Sequence, residues 1–290
     1  MQIFLLVITN QKMEWFDAIT VSLSTISTGG FSIHNQNIAF YNNLATEWVI
    51  IIFMILGSIN FSLYYYALHG KIYRFYETEF LLFLFITFVA CFLAFWWLLE
   101  SQLPIAEAIH YGIFHLVSAL STTGFNIVNY NAWPYLVQAL MWVVMFLGGM
   151  SGSTSGGMKT VRLVMLFRIA RSKIESVFRP QRVERISIGG REVDDQAASM
   201  VLCFFLILTA ISVISTVLFI ANGIDPSTSL SLVACMINDT GMSFGMGGPT
   251  ESLAFMTNTE LIASCFLMIL GRLEFFAVLA FFVPAFWKST

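Results

Sequence analysis

A hexapeptide that combines small polar residues with glycine occurs three times in this chain of 290 residues. The copies read Ser-Thr-Gly-Gly-Phe-Ser at 27–32, Ser-Thr-Thr-Gly-Phe-Asn at 121–126 and Asn-Asp-Thr-Gly-Met-Ser at 238–243. Aligned without gaps, they place Gly30, Gly124 and Gly241 in one column. Similarity that recurs along a chain predicts repeated structural units, so the fold must hold three equivalent turns. We name them turn 1, turn 2 and turn 3 in chain order.

The composition indicates where these turns lie. Hydrophobic residues make up 58% of the chain and charged residues only 11%, against the roughly 25% charged residues of a soluble domain. The chain is therefore expected to be an all-α membrane protein. Its net charge of -3 argues neither for nor against nucleic acid, but the lack of a basic stripe between aromatic residues means that no nucleic-acid partner is predicted.

Apolar stretches of two lengths alternate along the chain. A spanning helix needs about 20 predominantly apolar residues, whereas shorter apolar runs indicate buried or re-entrant segments. Spans are predicted at 48–68, 80–99, 133–147, 198–221 and 261–287, with a basic sixth segment at 158–170. Half-length runs occur at 15–27, 105–121 and 227–236. Each half-length run leads into one of the three turns, and the order of half-span, turn, loop and span recurs.

This order divides a single transmembrane domain, 1–290, into repeats. The predicted units are 1–69, whose leading helix is truncated, 79–176, whose second helix is broken, and 196–290, with a cytoplasmic connection at 177–195. Eleven of the fourteen basic residues lie in 69–79 and 159–195, and none lies in the loops that carry the turns. By the positive-inside rule the basic connections face the cytoplasm and the turns lie toward the outside.

The chemistry of the turns suits a cation. Non-helical backbone is tolerated at membrane depth where it is buried or lines a water-filled cavity. Glycine lets successive carbonyl oxygens point to one side, and rings of such oxygens can replace the hydration shell of potassium. The alternative is a helix end at an ordinary packing turn. The residues predicted to bind potassium are Thr28, Gly29, Gly30, Phe31, Thr122, Thr123, Gly124, Phe125, Asn238, Asp239, Thr240, Gly241 and Met242.

A glycine-rich segment at 148–157 follows the predicted span 133–147. It does not match a nucleotide-binding P-loop, because Met158 separates the last glycine from Lys159. Glycine costs about 1 kcal/mol relative to alanine in a helix, so the segment is predicted to interrupt the helix as a movable lid under the pore. A passive break that lets helices approach closely is the alternative. The predicted gate residues are Gly148, Gly149, Gly152, Ser153, Thr154, Ser155, Gly156, Gly157 and Lys159.

Together these motifs resemble the Trk family of bacterial potassium uptake proteins, within the Trk/Ktr/HKT superfamily. The resemblance rests on 29–34, 60–61, 121–134, 148–159 and 271–275, and it extends over nearly the whole chain. It implies membrane-helix, pore-loop, membrane-helix repeats around a pseudo-fourfold pore, of which this chain resembles the second to the fourth, with the first missing. It also implies that the glycine-rich segment gates conduction. In the third turn, Gly241-Met242 stands where the family usually has Gly-Pro, and Asp239 puts the cation preference of that wall in doubt.

Arg272 is a charge within the predicted span 261–287, and an intramembrane charge is a functional hypothesis by default. The resemblance implies that it faces the ion path below the turns. The alternative is that it anchors another repeat through backbone carbonyls. His69, His110 and His115 are interpreted as interfacial or packing residues without carboxylate partners, and His34 as a candidate for the outer mouth.

The predicted function is potassium uptake across a bacterial plasma membrane, with potassium as the transported ion and no other cofactor. No nucleophile with a base and no paired carboxylates are found, so the chain is not predicted to be an enzyme. A non-conducting structural subunit or fragment and a sodium-preferring or sodium-coupled transporter are the alternatives, and coupling to an ion, as in a symporter, is left open. The resemblance further implies a homodimer and a cytoplasmic nucleotide-binding regulatory subunit of the TrkA type. The basic segment 168–191 is the candidate contact for that subunit, or for lipid headgroups.

Overall fold

The computed structural model describes residues 1–178, 187–188, 191–192, 194–273, 275–281 and 287. Most of the predicted connection 177–195, and most of the last part of the predicted span 261–287, lie outside the described residues. Apart from one antiparallel hairpin, β1 (Ser187–Ile188) with β2 (Arg191–Glu192), the described residues form helices, turns and loops. The all-α fold class is therefore confirmed.

Twelve α-helices are assigned within the described ranges. The first six are α1 (Gln2–Thr9), α2 (Trp15–Ile26), α3 (Leu44–Ser58), α4 (Phe61–Leu68), α5 (Thr78–Glu100) and α6 (Ile105–Leu120). The others are α7 (Tyr135–Leu147), α8 (Thr160–Phe178), α9 (Asp195–Ala221), α10 (Pro226–Asn238), α11 (Asn258–Arg272) and α12 (Phe275–Ala280). Short 3₁₀ turns lie in the connecting loops.

By length and composition, two helices in the described ranges can cross a membrane: Thr78–Glu100 and Gln196–Ala221. They are predominantly apolar over more than the roughly 20 residues that a bilayer requires. A third crossing is counted if α3 and α4 form one broken span. The half-length runs expected before the turns are the helices α2, α6 and α10.

Three predicted spans need correction. Residues 48–68 are not one helix, because α3 and α4 meet at 92°. The side chain of Asn60 accepts a hydrogen bond from Ser62 N at 2.8 Å and so starts a new helix within the apolar run. Residues 261–287 are also interrupted, because α11 ends at Arg272 and α12 starts at Phe275. The helix within 133–147 has 13 residues, about 20 Å, which is too short to span a bilayer alone.

Packing places the half-length helices between longer ones. The helix α2 packs on α1 and α3, α6 packs on α5 and α7, and α10 packs on α9 and α11. Neighbouring groups meet through α3 with α6 and through α7 with α10. Buried apolar side chains fill these junctions, including Phe114, Met141 and Leu232. The three half-length helices are thereby held with their turns close together.

Candidate functional site

The three turns share one backbone conformation at the ends of α2, α6 and α10. In each, the second residue donates its N–H to a carbonyl three residues back, and the third residue donates to one five residues back. In turn 2 these are Thr122 to Ala119, at 3.1 Å, and Thr123 to Ser118, at 3.0 Å. This is the Schellman arrangement, which satisfies the carbonyls at a helix end. The sequence repeat is therefore also a repeat of backbone geometry.

The second residue of each turn lies in the left-handed region. The φ angles are +51° at Thr28, +55° at Thr122 and +52° at Asp239. Glycine normally occupies this position of a Schellman motif, and aspartate tolerates it better than the β-branched threonine. Backbone in such a region costs of order 1–3 kcal/mol and persists where its surroundings fix it. The two threonines therefore need compensating contacts.

The shared glycine column is where the turns meet. A Cβ atom built on Gly30 would lie 1.8 Å from the carbonyl oxygen of Thr123, and one built on Gly124 would lie 2.5 Å from the carbonyl oxygen of Thr240. The nearest atom to a Cβ on Gly241 is the Gly124 Cα, at 3.3 Å. All three glycines also have positive φ, between +67° and +83°. Turn 2 therefore contacts both other turns, and their contact leaves no room for side chains at Gly30 and Gly124.

The remaining turn residues differ in exposure. The residue after the shared glycine is 77% exposed at Phe31 but fully buried at Phe125 and Met242. At the position before the shared glycine, Thr123 Oγ1 lies 2.7 Å from Ser121 Oγ. The buried Thr240 Oγ1, at the same position of turn 3, has no hydrogen-bond partner in the described part of the chain. Gly29, in the same position of turn 1, packs against the Phe31 ring. The side-chain amide of Asn238 donates to the Ala234 carbonyl, which fixes the start of turn 3.

The glycine-rich segment is non-helical between α7 and α8, as the sequence predicts. It is hydrogen-bonded to the end of α3: Met150 N donates to Ser58 O at 2.9 Å, and Thr154 N donates to Gly57 O at 3.3 Å. The last carbonyls of a helix lack intrahelical partners, so the segment satisfies two of them. In return, Phe61 N, at the start of α4, donates to Gly152 O at 3.1 Å. These contacts connect the segment to the bend between α3 and α4.

The same segment lies against all three turns, on the face that carries their second residues. Thr28 Oγ1 donates to Thr154 O at 2.9 Å, and Gly156 N donates to Thr122 Oγ1 at 2.6 Å. A Cβ atom on Gly156 would lie 2.4 Å from the Asn238 carbonyl oxygen of turn 3. The strained threonines of turns 1 and 2 thus gain direct bonds to the segment.

Internal contacts give the segment its shape. Gly148, Gly152 and Gly157 adopt positive φ. Ser153 Oγ lies 3.0 Å from Ser155 Oγ, and a Cβ on Gly149 would meet that same Ser155 hydroxyl. The Lys159 ammonium donates to the carbonyls of Ser153 and Ser155. Its charge therefore compensates carbonyl dipoles that the turn exposes.

Arg272, at the end of α11, reaches the segment. Its Nη1 donates to Thr154 O at 3.0 Å, which is a backbone carbonyl outside its own predicted repeat. The side chain also lines a cavity of about 240 Å³ beside the segment, together with Lys159, Arg162 and Phe204. The Arg162 guanidinium lies 4.2 Å from the centre of the Phe204 ring, a cation–π contact. Arg272 therefore makes a carbonyl contact with another predicted repeat and also lines this cavity.

Asp239 occupies the position that threonine holds in turns 1 and 2. Its Oδ2 is buried and has no hydrogen-bond partner within the described ranges. A Cβ atom on Gly271 would lie 3.0 Å from that oxygen, so the carboxylate faces the end of α11. Arg272, the next residue, is close enough to interact with it electrostatically.

Two histidine–carboxylate contacts were not predicted. His110 Nε2 on α6 contacts Glu47 Oε2 on α3, and both side chains are buried. His34 Nε2 lies 3.3 Å from Asp17 Oδ2. The interpretation of His110 as lacking a carboxylate partner is therefore wrong. The sequence signal for this pair was the position of Glu47 at the start of an apolar run, since an ionisable group within a membrane segment usually pairs with another. Within the described residues, no group of three or more His, Cys, Asp or Glu side chains could hold a metal ion.

The chain is similar in sequence to known membrane transport proteins. A family model described as a cation transport protein, TrkH, matches residues 2–289. The Trk system potassium uptake protein TrkH of Halomonas elongata is 32% identical over 285 residues, which cover 96% of this chain and 58% of that protein. The Trk system potassium uptake protein TrkG of Escherichia coli is 31% identical over 281 residues, with 96% and 57% covered.

A solved structure is also similar to this chain. The crystal structure of the potassium transporter TrkH from Vibrio parahaemolyticus matches with a TM-score of 0.87 at 29% identity. The match covers 95% of this chain and 60% of that one. The chain thus spans a little more than half the length of the relatives it matches.

Proposed function

Because the chain belongs to the TrkH family of cation transport proteins, which confirms the resemblance seen in its sequence, we propose that it forms three walls of a potassium pathway across a bacterial plasma membrane. The three repeats at 1–69, 79–176 and 196–290 each supply one wall. The relatives are named as potassium uptake proteins and transporters, so the transported ion is taken as potassium. The fourth wall would come from a further unit of the same kind.

The contact between the turns at Gly30, Gly124 and Gly241 carries this proposal. The carbonyl oxygens of Thr123 and Thr240 each lie within 2.5 Å of the position of a Cβ atom built on the glycine of a neighbouring turn, so carbonyl groups of different turns lie close together. Converging carbonyl oxygens can replace the water shell of potassium. The half-length helices add to this, since each directs its partly negative C-terminal end at the site. The site thus favours a monovalent cation without using a side-chain carboxylate in turns 1 and 2.

The glycine-rich segment acts as the gate in this proposal. It bonds to turns 1 and 2 through Thr154 and Gly156, so it covers one face of the turns. A potassium ion that passes the turns toward the cytoplasm then meets this segment and the basic side chains of Lys159 and Arg272. Displacement of the segment would open the path. The membrane potential supplies about 2.3 kcal/mol per charge per 100 mV, enough to drive net entry when the inside is negative.

The assembly and orientation belong to the same proposal. We place the basic connections in the cytoplasm and the loops that carry the turns outside, following the distribution of lysine and arginine. The protein would form a homodimer and bind a cytoplasmic nucleotide-binding regulatory subunit, for which basic side chains in the second half of α8 offer a surface. Arg168, Arg171 and Lys173 lie on that helix. The relatives are named as parts of a Trk system, which supports a partner in general.

Complementation tests the proposal. Expression of the full-length protein should rescue a potassium-uptake-deficient bacterium in low potassium, and Gly124→Asp should abolish rescue because a side chain at Gly124 meets the Thr240 carbonyl and the next turn. Gly223→Asp is the matched control: Gly223 also has positive φ, but no atom lies within 4 Å of its added Cβ. Both variants must insert into the membrane at wild-type levels. Rescue that survives Gly124→Asp would refute the filter role, and insertion without rescue by the wild type would favour the non-conducting alternative.

A further inference from the structure

Glu79 lies in the first turn of α5, next to the cytoplasmic linker predicted between the first two repeats. Its Oε1 accepts a hydrogen bond from Ser151 N at 2.6 Å, across 72 positions of sequence. Ser151 lies near the start of the glycine-rich segment. A charged acceptor forms a stronger bond to an amide than a neutral one does, so this contact is among the strong ones that hold the segment.

The same carboxylate lies near the start of α8, the helix that follows the segment. The backbone N–H of Val161, in the first turn of α8, is close enough to interact favourably with it. The first amides of a helix lack intrahelical partners, and negative charge near them is favourable. The two neighbouring amides are satisfied elsewhere, since Thr160 N donates to Gly149 O and Arg162 N donates to Lys159 O. Glu79 therefore places a negative charge beside the first turn of α8.

From this geometry we propose that Glu79 is a positioning residue that ties the glycine-rich segment to α5 at Ser151 and so holds the segment against the three turns. The inference rests on the proposed function, because it assigns Glu79 a part in keeping the gate in place. Without the carboxylate, Ser151 N would lose its acceptor and the first turn of α8 would lose a nearby negative charge, while the contacts of Thr154 and Gly156 to the turns would remain.

The charges around Glu79 provide a matched control. Lys159 lies near enough to attract the carboxylate, and Glu77 near enough to repel it. Glu77 itself pairs with Arg74 at 2.8 Å, and both side chains are partly exposed. It stands two positions before Glu79 and has the same chemistry, but among the described residues its carboxylate bonds to Arg74 and not to the glycine-rich segment. Replacing Glu77 therefore changes the local charge equally while leaving the segment bonded.

The test is amide hydrogen exchange, followed by mass spectrometry, on the protein in lipid nanodiscs. Glu79→Ala should speed exchange of peptides that cover Ser151 and Val161 by at least about tenfold, given the usual strength of hydrogen bonds to charged groups. Glu79→Gln keeps a neutral acceptor and should restore part of the protection. Glu77→Ala should leave exchange in both peptides at the wild-type rate. Equal exchange in the wild type and Glu79→Ala would overturn the inference.

Potassium flux into liposomes supplies the functional readout. Glu79→Ala should raise basal flux severalfold at equal amounts of reconstituted protein, Glu79→Gln should raise it less, and Glu77→Ala should not change it. Faster exchange without any change in flux would refute the gating part. If no version transports potassium but exchange changes as expected, the proposed function fails while Glu79 still positions the segment.

Discussion

Turn 2 and turn 3 have the same backbone but use their second residue differently. In turn 2, Thr122 Oγ1 accepts a hydrogen bond from Gly156 N at 2.6 Å. In turn 3, the corresponding Asp239 Oδ2 has no hydrogen-bond partner among the described residues and lies near Arg272. Both residues have left-handed φ, +55° and +52°. One turn is therefore bonded to the glycine-rich segment, and the other places a charge beside it.

This difference shows what the left-handed position is used for. Threonine is strained there, and its hydroxyl offsets the strain by satisfying a buried amide of the segment. Aspartate tolerates the conformation without such a bond. Turn 1 resembles turn 2 in this respect, since Thr28 Oγ1 donates a hydrogen bond to Thr154 O of the segment. The three turns thus differ in side-chain chemistry although they are alike in backbone.

The largest expected effect tests what the turns share. Alanine at Gly30 would place its Cβ 1.8 Å from the Thr123 carbonyl oxygen. Alanine at Gly124 would place its Cβ 2.5 Å from the Thr240 carbonyl oxygen, and alanine at Gly241 would place its Cβ 3.3 Å from the nearest atom. Potassium uptake should therefore fall most for Gly30→Ala, less for Gly124→Ala and least for Gly241→Ala. The first should lose at least about tenfold, the factor that corresponds to 1.4 kcal/mol. Initial rates of uptake into liposomes measure this.

Gly223→Ala is the control for backbone strain alone. Its φ is +96° and its added Cβ meets no atom within 4 Å, so it should lose only the roughly 1–2 kcal/mol of stability that left-handed alanine costs. Its uptake should equal that of the wild type. Wild-type uptake by Gly30→Ala would contradict the convergence of the turns, and equal loss in all three turn variants would remove the asymmetry between them.

Local sequence signals predicted the turns well. The half-length apolar runs, followed by Thr-Gly, indicated helices that end where α2, α6 and α10 end. The glycine-rich run likewise indicated the break between α7 and α8, because helix propensity is a local property. The asymmetry at Asp239 was visible as a departure from the other copies, but the absence of a hydrogen bond at its Oδ2 was not.

Long-range contacts explain what the sequence did not reveal. The 92° bend between α3 and α4 lies inside an apolar run, and it is fixed by bonds from Met150 and Thr154 of the glycine-rich segment to carbonyls of α3. The pairing of His110 with Glu47 joins positions 63 apart. Neither contact produces a periodic pattern, so hydrophobic periodicity could not predict it.

An intermediate effect is expected when the bond of turn 2 is removed. Thr122→Val keeps the β-branched shape but leaves the Gly156 amide without its acceptor, and an unsatisfied buried donor costs about 1–3 kcal/mol. The variant should unfold at lower denaturant concentration and show raised basal potassium flux. Thr122→Ser keeps the hydroxyl and should stay near the wild type in both. A valine variant as stable and as tightly closed as the serine variant would show that this bond does not hold the segment.

The smallest expected effect tests turn 3. Asn also favours left-handed φ, so Asp239→Asn removes the charge without straining the backbone, and no hydrogen bond at the buried Oδ2 is lost. Its stability should stay within about 0.5 kcal/mol of the wild type, the range usual for substitutions that break no specific feature. Potassium uptake should fall severalfold, because the carboxylate near Arg272 no longer attracts the cation.

Asp239→Thr makes turn 3 resemble turn 2 and should be less stable than Asp239→Asn, since it adds strain while the Gly156 amide already bonds to Thr122. If threonine at this position proved the more stable of the two, the second residue of turn 3 could also bond to the segment, and the two turns would not differ in the way described.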